Sequence, residues 1–246
     1  MTRAHLAAGM LLSTLVLGTA GEALAQTRRP SAGTRPSPPS PPFRPGSIEV
    51  DAGVLWLGGI DFGSATAEIT ANGSPPEDYP LFRTASQLRA GPAYEGRIGV
   101  RLTRTIGVEG AFQYARLPLE TRISGDVEDA PSLTASNDLA RYVVEVSGVL
   151  HLTRYRIGRN GSPFLLGGAG YVRELDERQA LAETGGLYHA GGGFKYLFSE
   201  RTHGLIKGLG LRADARIYFR QGGFELEDGD PLRRFVAGGA SLLVAF

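Results

Sequence analysis

Charged side chains recur at every second position in several segments of this sequence, a spacing that suits ion pairing. Glu95 and Arg97 lie two residues apart, and Arg212 and Asp214 repeat that spacing. In an extended chain such residues share a face, so each segment presents a charged stripe. Six acids and seven bases on these stripes can neutralise one another as an enclosed ion-pair network. They are Glu49, Asp51, Glu95, Arg97, Arg101, Glu109, Arg141, Glu145, Arg173, Lys195, Arg212, Asp214 and Arg216.

The same stripes contain His151 and His189, which raises the question of acyl hydrolysis. That chemistry needs a serine activated by a histidine, which a carboxylate orients. Glu145 is close in sequence, but neither histidine is followed at the second position by serine, as in a known deacylase family. We therefore predict no catalytic residues and no enzymatic activity.

Motifs for cofactors and metals are also missing their key residues. Residues 168–173 lack the third glycine of a dinucleotide fingerprint, and the acidic residues 225–230 do not have EF-hand spacing. The chain has no cysteine, which excludes disulfides and thiolate metal sites. We predict no cofactor and no metal.

Composition indicates one sizeable, strand-rich domain. The 246 residues are 42% hydrophobic and 21% charged, with 35 glycines and a formal net charge of +1. A nucleic-acid partner is not expected, because phosphate-binding domains show a clear basic excess. One residue in seven is glycine, which is high for a helical protein and ordinary for strands and turns.

Two N-terminal segments precede the predicted fold. Residues 1–25 have the features of a secretory signal peptide: Arg3, an apolar run from Leu6 to Leu17, and a small-x-small site at residues 23–25. Residues 26–47 hold seven prolines, four arginines and no acid, which predicts a stiff, solvated linker. Such an arm could bind an anionic surface; a bare spacer is the preferred interpretation.

From Ile48 onward the hydrophobic period is two, over eight segments. In the first, Ile48, Val50 and Val54 share one face, and Glu49 and Asp51 share the other. The other segments lie at about residues 87–102, 106–114, 141–152, 164–173, 188–196, 209–219 and 236–246. In the 164–173 segment we place Phe164, Leu166 and Val172 on the apolar face, opposite Tyr171 and Arg173. The pattern predicts eight antiparallel strands within residues 48–246.

The predicted connections alternate between long and short, as in an up-and-down barrel. The long ones are residues 61–86, 117–138, 174–186 and 220–233, and they carry 17 acids against five arginines. The short turns are mostly basic and share their end of the barrel with both chain termini. The two ends therefore differ in charge.

Two barrel classes fit this alternation. A soluble lipocalin-like barrel would bury the apolar face inside, whereas an outer-membrane barrel would turn it toward lipid. We favour the membrane barrel, because near-neutral charge balance lets the polar face fill a narrow interior. Six aromatic residues on the apolar face suit a membrane girdle: Trp56, Tyr94, Tyr114, Tyr142, Tyr188 and Tyr196.

The last segment, RFVAGGASLLVAF, ends in Phe246 with Val244, Leu242 and Ala240 on its face. It resembles the carboxy-terminal assembly signal of bacterial outer-membrane barrels, and LRADARIYF, from Leu211 to Phe219, is similar to strands of the OmpA-like and OmpW-like families. The resemblance covers residues 48–246 and implies an all-β, eight-stranded antiparallel up-and-down transmembrane barrel. It implies the cell outer membrane of Gram-negative bacteria as the location, which makes residues 26–47 a Pro/Arg-rich periplasmic linker. It also implies the barrel assembly machinery as a partner that reads Leu242, Val244 and Phe246. No peptidoglycan-binding domain follows, so anchoring is not expected.

The functional expectation is a structural or surface-interaction role, with the lumen plugged by the ion-pair network. Expected partners are outer-membrane lipid and lipopolysaccharide, whose phosphates divalent cations could bridge to the acidic loops, and the protein is expected to be a monomer. The alternatives are a narrow OmpW-like channel for ions or small solutes and a secreted lipocalin-like binding barrel.

Overall fold

The structure is a computed structural model that describes residues 44–71, 77–126, 130–155, 157, 160–176, 182–201, 204–222 and 232–246. The predicted signal peptide and nearly all of the predicted linker lie outside these residues. Most of the described chain is β-strand, in the order β1 (Ile48–Leu57), β2 (Ile60–Ala71), β3 (Glu77–Leu88), β4 (Gly91–Arg101), β5 (Ile106–Ser124), β6 (Leu133–His151), β7 (Gly161–Asp176), β8 (Ala182–Glu200), β9 (Gly208–Gln221) and β10 (Leu232–Ala245).

A single 3₁₀ turn, Thr153–Tyr155, is the helical element of the described chain. No helix in the described ranges is long and apolar enough to cross a bilayer.

The ten strand segments make eight barrel strands. Leu57 of β1 pairs with Gly91 of β4, and Ile60 of β2 pairs with Leu88 of β3, so one register continues across both short interruptions. β1 and β2 therefore act as one barrel strand, and β3 and β4 as the next. Every neighbouring pair is antiparallel, and the predicted eight-stranded antiparallel barrel is confirmed.

The sheet closes on itself through β1, which pairs with β4 on one side and with β10 on the other. Closure leaves no free edge around the barrel wall, so its backbone donors and acceptors pair internally. At the β1–β10 seam Gly53 lies opposite Ser241, and a Cβ at Gly53 would collide with the carbonyl oxygen of Ala240. The seam requires glycine there.

The register climbs by ten residues in one circuit of the wall. Starting from Ile48, the successive cross-strand partners around the wall are Val100, Val108, Gly148, Gly167, Ala190, Ile217 and Val236. The carbonyl of Val236 accepts from the N–H of Gly58, so the circuit returns to the first barrel strand at Gly58. The step from 48 to 58 is the shear of the barrel. Eight strands with this shear tilt by about 40° and enclose a space that side chains can fill.

In the barrel wall, side chains alternate between the interior and the outer surface. In β4 the burial pattern switches at every residue, with Glu95 and Arg97 inside and Tyr94 and Ile98 outside. The exposed large apolar residues include Val108, Phe112, Val144 and Leu211, so the apolar face points outward. Both ends of the barrel chain lie at the end with the short turns, where the N–H of Phe246 donates to the carbonyl of Ile48 at 2.8 Å.

The strands are longer than the sequence predicted. Residues 61–86 and 117–138 were expected to be loops, but β2 pairs with β3 over most of the first range, and β5 with β6 over most of the second. These segments are mixed in polarity, so they lack the hydrophobic alternation of the wall. Cross-strand hydrogen bonds extend the hairpins all the same.

The predicted orientation of β7 is wrong. Phe164 and Val172 are buried in the interior, while Tyr171 and Arg173 are exposed on the outer surface. The inward and outward residues of this strand are similarly apolar, so its sequence offers little contrast between faces. Pairing with β6 decides the matter, because Phe164 lies opposite the inward His151.

Candidate functional site

The barrel interior holds a dense set of ion pairs, which begins near the short turns. The ammonium Nζ of Lys195 donates to Glu49 Oε2 at 2.6 Å and to Glu109 Oε1 at 3.0 Å. Arg101 Nη2 lies 3.6 Å from Glu49 Oε1 and 2.8 Å from Nδ1 of His151. These residues come from β1, β4, β5, β6 and β8, so this first layer joins strands all around the wall.

Asp214 is the hub of the next layer. Its carboxylate accepts from Arg97 at 2.9 Å, from Arg212 at 3.2 Å and from Arg216 at 2.7 Å. Arg212 connects this layer to the first, because its Nη1 also donates to Glu109 Oε2 at 2.7 Å. Asp51 accepts from Arg212 at 3.4 Å.

Arg216 is the most heavily bonded base in this layer. It donates to Glu95 at 2.8 Å, to Glu145 at 2.7 Å and to the hydroxyl of Tyr218 at 2.9 Å, in addition to Asp214. Glu95 also contacts Arg97 directly. A carboxylate buried without a partner is costly, and here each one faces at least one cation.

Twelve of the thirteen predicted network residues lie inside the barrel, each at most 8% exposed. Eleven of them are joined by the contacts above. Arg141 is interior but belongs to a second cluster closer to the opposite end. Arg173 is the exception: it lies on the outer surface, because β7 presents its odd-numbered residues outward.

The second cluster, at the mouth opposite the short turns, was missed by the sequence analysis. Arg220 Nη2 lies 2.7 Å from Glu174 Oε2, and Arg141 Nε lies 3.9 Å from Glu174 Oε1. Arg141 stacks over the ring of Phe235 at 4.7 Å, and Arg233 over Phe62 at 4.9 Å. Both rings belong to the apolar core cluster, so cation–π contacts connect the mouth charges to that core.

A signal for this cluster was present in the sequence. Arg212, Asp214 and Arg216 set a period of two that continues through Tyr218 to Arg220, and all of these residues are buried. The sequence analysis places Glu174 and Arg220 in the long connections 174–186 and 220–233. Inward and outward positions therefore alternate beyond the segments in which apolar and polar residues alternate in the sequence.

One interior contact resembles a hydrolase constellation. Ser147 Oγ lies 2.8 Å from Nε2 of His189, and Nδ1 of His189 lies 3.5 Å from Glu145 Oε2. The serine–histidine distance suits nucleophile activation, but all three residues are at most 6% exposed. Glu145 is already bonded to Arg216 and Tyr218, so it serves the network instead of orienting the imidazole freely.

The predicted aromatic girdle residues all lie on the outer face. Tyr94, Trp56 and Tyr188 are 68%, 59% and 51% exposed. Tyr114 faces both Tyr94 and Tyr142 across the strands, and its ring centroid lies 5.2 Å from that of Tyr142. Tyr196 is also outward, close to the short turns. Tyr171, which the sequence analysis places on the inner face, is also outward and joins this set.

The carboxy-terminal strand places its predicted signal residues toward the outside. Leu242 is 63% exposed and pairs with Ala52, and Val244 pairs with Val50. The neighbouring Leu243 is only 1% exposed. Phe246 follows the end of β10.

Within the described ranges, no group of three or more His, Cys, Asp or Glu side chains has the arrangement of a metal site. The carboxylates of the interior are instead surrounded by guanidinium and ammonium groups, which occupy the positions that a cation would take.

A scan against protein-family models finds no match. A search of curated protein sequences also finds none.

Solved structures do resemble this one. The outer membrane protein OprG from Pseudomonas aeruginosa aligns with a TM-score of 0.50 at 10% identity, over 82% of this chain and 97% of OprG. Neisserial surface protein A aligns with a TM-score of 0.45 at 12% identity, over 81% and 97% of the two chains. The N-terminal β-barrel domain of Pseudomonas aeruginosa OprF gives 0.39 at 14% identity, over 82% and 98%. The predicted fold class is thus confirmed: this chain has the fold of the small eight-stranded outer-membrane β-barrels.

Proposed function

We propose that this protein is a Gram-negative outer-membrane β-barrel with a structural or surface-interaction role, whose lumen the ion-pair network plugs. The observation that carries the proposal is the polarity of the wall: apolar residues face outward, while buried Arg, Lys, Glu and Asp face inward. A soluble barrel has the reverse arrangement, because water rewards an apolar core. The lipocalin-like alternative is therefore disfavoured.

The height of the apolar wall supports a membrane location. From Ile48 to Trp56 the outward face of β1 carries no charge. At about 3.3 Å per residue and a tilt of about 40°, this span rises roughly 20 Å, close to the apolar band of about 25 Å in outer-membrane barrels. Outward aromatic residues lie at both ends of this band, as in membrane girdles.

The side chains inside the barrel support the proposal of a plugged lumen. The two charged layers and the mouth cluster draw side chains from every barrel strand, and an eight-stranded wall leaves only enough room for such side chains. A narrow channel would need these ion pairs to separate. We propose no enzymatic activity, because Ser147 and His189 are enclosed by the same network.

The remaining elements of the proposal come from the sequence. Residues 1–25 would direct export, and the last strand would engage the barrel assembly machinery through Leu242, Val244 and Phe246. The predicted acidic loops would contact lipopolysaccharide through divalent cations; several of their acids, including residues 225–230, lie outside the described residues.

Trp56 provides a direct test, because it is the single tryptophan and lies on the outer face. Purified protein reconstituted in vesicles should show Trp56 fluorescence quenched by lipids brominated near the headgroup more than by lipids brominated at the chain ends. Membrane fractionation and heat-modifiable gel migration should place a closed barrel in the outer membrane. A protein that stays soluble without detergent, with Trp56 unquenched by either lipid, would refute the proposal.

A further inference from the structure

On β5 and β7 the first outward charge lies just beyond the tyrosine girdle. The outward residues of β5 up to that level are Ile106, Val108, Gly110, Phe112 and Tyr114, and the next is Arg116. The outward residues of β7 follow the same order, with Tyr171 followed by Arg173. An arginine at this place lies at the boundary between hydrocarbon and headgroups.

Arg116 and Arg173 flank Tyr142, which lies on the strand between them. Tyr142 pairs directly with Arg173, and Arg116 pairs with Ala140, the next outward residue of β6. Two strand spacings and one two-residue step separate the arginine Cα atoms by roughly 12 Å. Both guanidiniums can therefore reach a headgroup lying over Ala140, which is small and leaves room between them.

The tilt of the wall brings both arginines to the same height. Hydrogen-bonded rows climb toward the mouth from β5 to β7, because the register gains ten residues per circuit. Arg173 lies one two-residue step below the row of Arg116, and this step offsets the climb. A ligand lying flat at the membrane surface can contact both arginines at once.

Neither guanidinium is engaged within the part of the chain that the structure describes. Arg116 and Arg173 are both exposed and form no ion pair there, in contrast to the interior arginines. The closest outward carboxylate on β6 is Asp138, one step above Ala140 and opposite Pro118. The cationic pair is therefore open to a ligand from the membrane side.

We propose that Arg116, Tyr142 and Arg173 form a binding site for the diphosphorylated lipid anchor of lipopolysaccharide in the outer leaflet. The inference rests on the proposed function, because it needs the wall to lie in a membrane with the long hairpins outside. Guanidinium groups bind phosphate through paired N–H donors, and the tyrosine hydroxyl adds a donor between them. Two separated arginines favour a headgroup with two phosphates over a phospholipid with one.

The test uses the full barrel in detergent micelles, with ligand binding followed by native mass spectrometry. Diphosphoryl lipid A should bind at least about tenfold more tightly than monophosphoryl lipid A, since each charge-assisted contact contributes about one decade of affinity or more. The double variant Arg116→Gln/Arg173→Gln should lose this preference. Arg116→Lys should weaken binding less than Arg116→Gln, because the charge remains.

Arg234→Gln is the matched control. Arg234 is an exposed outward arginine at a similar level on β10, but it faces Phe219 and has no tyrosine beside it. Its substitution should change lipid A affinity by less than about twofold. An equal loss in this control would reveal general charge attraction and overturn the site.

Two other outcomes would also overturn it. Equal affinity for the two forms of lipid A would remove the phosphate specificity, and displacement by inorganic phosphate at equal concentration would identify a simple anion site. Trp56 quenching and heat-modifiable migration of the same samples report on the barrel itself. Failure of those two measurements would count against the proposed membrane function, whereas their success with no lipid A preference would reject this site alone.

Discussion

Replacing Arg216 with methionine should destabilise the barrel more than any substitution on the outer wall. Arg216 is 3% exposed and donates to Asp214, Glu95 and Glu145, each at 2.7 or 2.8 Å. Methionine fills similar volume but removes the charge, so carboxylates inside the barrel lose a cation. The cost in stability depends on how many of these carboxylates keep another cationic partner.

Of the three carboxylates, Glu145 would bear the full free-energy cost of losing Arg216. Asp214 keeps Arg97 and Arg212, and Glu95 keeps Arg97. Glu145 keeps the Tyr218 hydroxyl at 3.3 Å and His189 at 3.5 Å, neither of which carries a fixed positive charge. Removing one partner of a buried ion pair costs about 3–5 kcal/mol, and we expect the loss in this range.

The assay is urea unfolding of the barrel in detergent or lipid, followed by the heat-modifiable gel band. Arg234→Met is the control, because Arg234 is outward and its loss should cost less than about 0.5 kcal/mol. Adding Glu145→Gln to Arg216→Met should recover part of the stability, since it removes the unpaired charge. Planar-bilayer recording should show conductance for Arg216→Met and none for the unaltered protein.

Equal unfolding midpoints for Arg216→Met and the unaltered barrel would refute the interpretation that the ion-pair network stabilises the barrel interior. The interpretation would also be refuted if adding Glu145→Gln to Arg216→Met lowered the free energy of unfolding further, by as much as an independent second substitution would. If Arg216→Met does not fold, recovery of folding in the double variant still decides the matter.

Three further predictions concern other parts of the wall. Gly53→Ala should abolish the folded gel band, because its Cβ would collide with the Ala240 backbone, whereas Gly96→Ala has nothing within 4 Å and should fold normally. A spin label at Leu242→Cys should be accessible to lipid-soluble relaxation agents, while one at Leu243→Cys should be shielded or prevent folding. A fluorophosphonate probe should not label Ser147 in the folded barrel, because that residue is 6% exposed; labelling lost on Ser147→Ala would establish a reactive serine.

The sequence predicted the two faces of most strands correctly, and β1 shows why. Glu49 and Asp51 alternate with Ile48 and Val50, so a period of two separates charge from hydrocarbon before any partner strand is known. The eight-strand count follows from the number of such segments, and the up-and-down antiparallel order follows from the alternating lengths of the connections. This information is local, because the two faces of each strand meet different surroundings and so carry different residue types.

β7 shows where local information ends. Its two faces differ little in polarity, so the placement of Phe164 inside and Arg173 outside depends on pairing with β6 and β8. The long hairpins are a second case. They extend as strands because neighbouring backbones offer hydrogen-bond partners, whatever their side-chain pattern.

From its sequence, this protein is a strand-forming chain with one apolar face and one nearly neutral charged face. Tertiary structure decided which charges meet: Lys195 bonds to Glu49 across 146 residues, and Arg216 reaches Glu95 across 121. Those pairs depend on barrel radius, tilt and shear, which arise only when β1 closes against β10. Closure is a property of the whole sheet, so no segment of the sequence encodes it by itself.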